Sequence, residues 1–125
     1  MTHPVRAAIE ARDIDALKAL FAADIVFNSP VAFHPFTGRD TVAAVLAEVM
    51  EVFTDFEYVD ELAGDGTYGL VFSAGVSGRT VLGLDHLRLD DDGLVREFTV
   101  MVRPLSGLIA LAEAMGPRVA HLAKG

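Results

Sequence analysis

Arg79-Thr80-Val81-Leu82-Gly83-Leu84-Asp85-His86-Leu87-Arg88-Leu89 is the stretch whose reading decides the fold. Its side chains sort with a period of two, the mark of a β-strand. Gly83, Asp85, Leu87 and Leu89 share one face, so a carboxyl stands among small and apolar neighbours. Burial in such surroundings disfavours the charged form, which predicts a raised pKa for Asp85. His86 and Arg88 fall on the opposite, outer face.

Turn signals bound this strand on both sides. Ser77-Gly78 precedes it and Asp90-Asp91-Asp92-Gly93 follows it, and both read as tight connections. Tyr68–Val76 and Leu94–Arg103 are therefore its antiparallel neighbours, and Phe56–Ala63, set off by Gly64-Asp65-Gly66, is a fourth strand. The acidic run lacks the spread of ligands and the closing Glu of a calcium loop, and reads as a solvated hairpin turn.

Upstream the period changes to 3.6. Gly38-Arg39-Asp40 opens a long helix whose face is Val42, Val45, Leu46, Val49, Met50 and Phe53,. Two shorter helices come first. Thr2 caps one carrying Val5, Ala8 and Ile9; Asp13 caps one carrying Ile14, Leu17, Leu20 and Phe21,. Between the second and the long helix lie a short extended piece, Ile25–Phe27, and a loop of residues 31–38 with two prolines and two phenylalanines, expected to pack inward. After Pro104, Ser106 caps a last helix through Leu108, Leu111, Ala112 and Met115, ended by Gly116-Pro117,.

Three helices, four strands and a final helix, without repeat or linker, predict one α+β domain over residues 1–125. The expected shape is a cone-shaped roll. A strongly curved, mainly antiparallel sheet wraps around the long helix, with the N-terminal helices and the C-terminal helix flanking it. The open end of the cone would hold a ligand.

Composition narrows the partners. The chain has 125 residues, 52% of them hydrophobic, and a net charge of -8. Such acidity repels phosphate backbones and anionic membrane surfaces, so neither nucleic acid nor membrane is an expected partner. Mean hydropathy is +0.40, yet no run of about 18 apolar residues is free of charge, Gly or Pro, as a span requires. Cysteine is absent, which removes thiolate metal sites and Cys nucleophiles. Met1-Thr2-His3-Pro4 does not resemble a signal peptide, and a cytoplasmic location is expected.

Several of these segments resemble a known family. Asp13-Ile14-Asp15-Ala16-Leu17 through Asp24, then Phe27-Asn28-Ser29-Pro30-Val31 and Thr37-Gly38-Arg39-Asp40, are similar to the nuclear transport factor 2-like superfamily. Gly78-Arg79-Thr80, Leu84-Asp85-His86-Leu87-Arg88-Leu89 and Gly93-Leu94-Val95 resemble the paired strands of its ketosteroid isomerases and SnoaL-like cyclases. The resemblance implies that Asp85 is a pocket acid, held protonated to donate a hydrogen bond to a developing oxyanion. It also places the isomerases' general base at Ser29 and their tyrosine at Val5, neither of which can fill those roles. One of three catalytic positions is retained.

The candidate catalytic residues are thus Asp85 and, in the proline-bracketed loop, His34, which reads either as a partner base or as a rim histidine. The candidate ligand pocket comprises Phe27, Ser29, Val31, Phe33, Phe36, Phe53, Phe72, Leu87, Phe98, Val100 and Val102. Aromatics in this number suit an apolar, ring-containing ligand. No metal site and no cofactor is expected, since His86 has no second ligand at suitable spacing.

Three functional readings follow. The first is a small-molecule pocket protein that acts as an isomerase, cyclase or hydrolase-like enzyme. The second is ligand binding without turnover. The third is a dimerisation module. A homodimer through the convex sheet face, with Val95, Glu97, Thr99 and His86 on or near it, fits all three.

Overall fold

The computed structural model describes residues 2–122. Residue 1 and residues 123–125, which complete the expected 1–125 span, lie outside the described residues. The helix α1 (Pro4–Glu10) is capped not by Thr2 but by His3, whose Nδ1 accepts the Val5 N–H at 3.1 Å. Its C-terminus turns sharply at Arg12, with φ of 54°, and the Asp13 N–H donates back to the Ala8 carbonyl,. Asp13 then caps α2 (Ile14–Ala19), its carboxylate accepting from the Ala16 N–H at 3.0 Å. The chain leaves that helix at Leu20, so Phe21 begins a strand instead of extending a helical stripe.

That strand, β1 (Phe21–Asn28), is far longer than the extended piece read from the sequence, and a two-residue β2 (Phe36–Thr37) pairs antiparallel with it. Next come α3 (Arg39–Val52), β3 (Thr54–Ala63), β4 (Thr67–Val76), β5 (Arg79–Leu89), β6 (Val95–Arg103) and α4 (Leu105–Val119). The last three strands form the expected meander, and β3 pairs antiparallel with β4. Pro104, not Ser106, stands at the N-cap of α4, which continues through Gly116 and Pro117 to Val119.

The expectation of a strongly curved sheet wrapped around the long helix is not met. The six strands lie in one open, linear order, β2-β1-β6-β5-β4-β3, with β2 and β3 as separate edges. It is also mixed, because β1 runs parallel to β6, a pairing that needs the intervening helix and strands as its crossover. The physical reason is division of labour between helices. α3 packs on β1, β2 and α2, while α4 packs on β4, β5 and β6. Two helices side by side cover the inner face, so the sheet need not curl around one.

Inner-face burial follows the period of two on β5, where Val81, Gly83, Asp85 and Leu87 are all buried. The largest fully buried side chains, Phe21, Phe27, Phe72 and Phe98, come from β1, β4 and β6. Each such ring stabilises the fold by about 1.5–3 kcal/mol through removal from water. The opposite face of β5 and β6 carries exposed Leu82 and Met101. Val95 does not belong to that face: it is fully buried, because a register shift at Arg88/Leu89 turns it inward,.

Candidate functional site

Sheet register builds the site. Asp85 on β5 lies between Leu70 on β4 and Val100 on β6. One row along, Tyr58 on β3 pairs with Phe72 on β4, which pairs with Gly83 on β5. Gly83 leaves room there: a Cβ at that position would stand 2.1 Å from Cζ of Phe72. The far end of the Phe72 ring therefore lies over Gly83, and the Tyr58 hydroxyl reaches the same strand.

The Tyr58 hydroxyl donates to Oδ2 of Asp85 at 2.8 Å, and both residues are almost wholly buried. Burial pushes the Asp85 carboxyl up to about 7, against a smaller opposing pull from the Tyr58 hydrogen bond,. Burial, followed by the neighbouring Asp85 charge, raises Tyr58 well above the ordinary tyrosine value. Tyr58 is thus a fixed donor, and Asp85 is the group that changes protonation near neutrality. The Arg6 guanidinium sits 5.7 Å from the Tyr58 ring centre, a cation–π contact that holds the ring from the α1 side.

These groups face a cavity of about 160 Å³, lined by β1, β3–β6, the loop of residues 29–32 and the facing sides of α1, α3 and α4. Phe53, Phe56, Tyr58 and Phe72 form one aromatic cluster on its wall. Phe56 stacks on Phe72 at 5.0 Å and meets Tyr58 edge-on at 4.9 Å. Among the described residues no group of three His, Cys, Asp or Glu side chains could hold a metal ion. No helix among them is long and apolar enough to cross a membrane.

Of the residues named from sequence, Asp85, Phe27, Ser29, Val31, Phe36, Phe53, Phe72, Phe98 and Val100 line this cavity. Four do not. Phe33 is 95% exposed, and His34 is exposed beside it with the rings 5.2 Å apart. Pro30 and Pro35 bracket a loop that turns Val31 and Ala32 to the cavity and projects the next two residues to solvent, so His34 is removed as a partner of Asp85. Leu87 shares the face of Asp85 but is fully buried in the core beyond the cavity, and half-buried Val102 packs against the core at the other end. Two residues along a strand is about 6.6 Å, enough to leave a site this small.

Sequence reasoning missed Tyr58. Its signal was the alternation Phe56, Tyr58 on a strand whose other residues are mostly acidic or exposed. The helical walls, including Leu46 and Met50 of α3 and Leu111 and Met115 of α4, were legible only as helix faces. The Oγ of Ser29 accepts the Val31 N–H at 3.2 Å. The acidic turn is a hairpin, with Oδ1 of Asp90 accepting the N–H groups of Asp92 and Leu94, both at 2.9 Å.

An open mixed sheet covered on one face by helices, with a carboxyl buried among aromatics on its inner wall, defines a small-pocket protein of the nuclear transport factor 2-like superfamily. The chain belongs to the SnoaL-like domain family within it, whose sequence model matches residues 5–98, on the branch that includes ketosteroid isomerase-like folds. A steroid delta-isomerase from Pseudomonas aeruginosa is 45% identical, with a TM-score of 0.86 over 95% of this chain and 88% of that one. An uncharacterised protein with a cystatin-like fold from Silicibacter pomeroyi is 33% identical, with a TM-score of 0.89 over 97% and 86%. A SnoaL-like protein of unknown function from Burkholderia thailandensis shares the fold at 20% identity, with a TM-score of 0.65 over 81% and 90%. No curated protein matches the chain.

Proposed function

We propose that the protein binds and converts a small apolar, ring-containing compound, with Asp85 as the acid that holds the ligand's oxygen. One observation carries this reading: the only carboxyl buried among the described residues of the cavity wall is hydrogen-bonded on one oxygen by Tyr58 and faces an apolar space. Protonated Asp85 donates a hydrogen bond to a carbonyl or hydroxyl oxygen, and that bond strengthens as negative charge develops there. Tyr58 keeps the carboxyl oriented for this.

The 45% identity to a steroid delta-isomerase from Pseudomonas aeruginosa supports conversion, and not binding alone, at this pocket. Steroid isomerisation by an acid and a separate carboxylate base is not the reading adopted, because the base and tyrosine positions implied by the resemblance are Ser29 and Val5. Binding without turnover is the second reading, and the same two residues favour it.

The test is a panel of enones, lactones and epoxides assayed with the wild type and Asp85→Asn, alongside phenol binding by the wild type and Asp85→Leu. Turnover that disappears in Asp85→Asn supports the enzyme. Phenol affinity at least tenfold weaker in Asp85→Leu, with no turnover of any compound, supports binding alone. Phenol affinity unchanged in Asp85→Leu contradicts both readings.

A homodimer through the outer sheet face accompanies this proposal. Leu84 and Met101 are paired on β5 and β6 on that face, with Leu62 and Leu82 nearby, and three of the four are exposed. An apolar patch of this kind is a usual site of self-association.

A further inference from the structure

We infer that the ligand is a neutral compound with a single six-membered ring and one oxygen directed at Asp85, and not a fused polycycle. This rests on the small-molecule reading above and deepens it. A dry cavity of about 150 Å³ lined by Leu, Ile and Phe holds a benzene-sized ring. The cavity here is about 160 Å³ and opens beside exposed Glu10, Arg12 and Val31, so the enclosed part next to Asp85 holds one ring and a small substituent. Four fused rings occupy several times that volume.

The wall cannot give way cheaply on the side of Asp85. Phe56 is stacked on Phe72 at an interplanar angle of 24°, both touch Phe53, and Phe72 is seated on Gly83 with no space beneath it. Moving one ring breaks contacts with two others, and close-packed interiors resist such a shift.

Polarity sets the rest of the ligand. Of the hydroxyl and carboxyl groups lining the cavity, Tyr58 is committed to Asp85, while half-buried Ser29 accepts the Val31 N–H and keeps its own O–H,. Asp85 is the fully buried group left to meet a ligand oxygen among the described lining residues. The charged lining residues, Glu10 and Arg12, are both exposed and opposite in sign, and Glu10 is already paired with Arg6. Among the described lining residues no cation is buried, so an anionic group beside Asp85 would go unneutralised and a neutral ring is selected there,.

Calorimetric titration with 4-methylphenol, 2-naphthol and estradiol tests this, since all three present the same phenolic oxygen on one, two or four rings. The expected wild-type order is 4-methylphenol tightest, 2-naphthol at least tenfold weaker, and no measurable binding of estradiol. Phe56→Ala opens the wall and is expected to reverse the order by admitting 2-naphthol. Estradiol or 2-naphthol binding the wild type more tightly than 4-methylphenol overturns the single-ring inference and leaves the pocket reading standing. Failure of all three to bind overturns both. If Phe56→Ala does not fold, the wild-type order alone decides.

Discussion

Tyr58 spans β4 to place its hydroxyl 2.8 Å from Oδ2 of Asp85, so the polar groups of two non-adjacent strands satisfy one another inside an apolar wall. The bond favours the ionised carboxylate, and it is the one influence opposing the upward push of burial. Tyr58→Phe is therefore expected to move the Asp85 titration to still higher pH. Carboxyl carbon NMR shifts followed against pH read this directly, and a downward movement would contradict the assigned hydrogen bond.

The same carboxyl links stability to pH. Its folded pKa is raised, from 3.8 to about 7, so the unfolded chain releases the proton first as pH climbs. Stability is consequently highest below the unfolded value and falls across that window. At about 1.4 kcal/mol per pK unit the loss is on the order of 4 kcal/mol. Urea unfolding of the wild type and Asp85→Asn should show their stability difference shifting toward the variant between about pH 4 and pH 7.

His3 acts with the opposite sign. Burial lowers its pKa, with Glu61 opposing, and its Nδ1 must be unprotonated to accept the Val5 N–H. Its contribution is present above the ordinary value of 6.5 and is lost as pH falls through the lowered one,. His3→Asn keeps a capping acceptor that does not titrate. Relative to wild type it should lose less stability between pH 7 and pH 5, measured by denaturant midpoints.

Gly83→Ala places a methyl against the locked Phe72 ring. Overpacking of this type costs about 1–3 kcal/mol, and the ring it displaces borders Asp85. Thermal denaturation should show the loss, and phenol binding should weaken along with it.

Much of this was legible in the sequence because the signals were local. Strand alternation on residues 79–89 assigned Asp85 to the inner face, and Asp13 announced its cap. Sheet shape was not legible. Whether strands close around a helix depends on how the second helix, α4, shares the cover, and no periodicity records that. β1 was cut short for a similar reason: Phe21 continues a helical stripe in sequence, while its pairing with Val95 of β6 is a contact between distant residues. In the site, His34 and Phe33 looked inward because prolines and aromatics surround them. Only the loop's actual path shows that they point out. Tyr58 was hidden by the reverse problem, since its role depends on a partner two strands away.

The outer face offers a separate check. If Leu84 and Met101 lie in a homodimer interface, the wild type should sediment at twice the chain mass and Met101→Glu at the chain mass. Sedimentation of the wild type at the chain mass would remove the dimer from the account.

The central claim is that Asp85 is a poised acid in an apolar cavity, and its own titration tests that most directly. NMR observation of the labelled Asp85 carboxyl is predicted to give a pKa of about 7 in the unliganded protein, rising when 4-methylphenol binds and shields it further. A pKa near the ordinary value of 3.8 would show a solvated carboxylate, and would contradict the account.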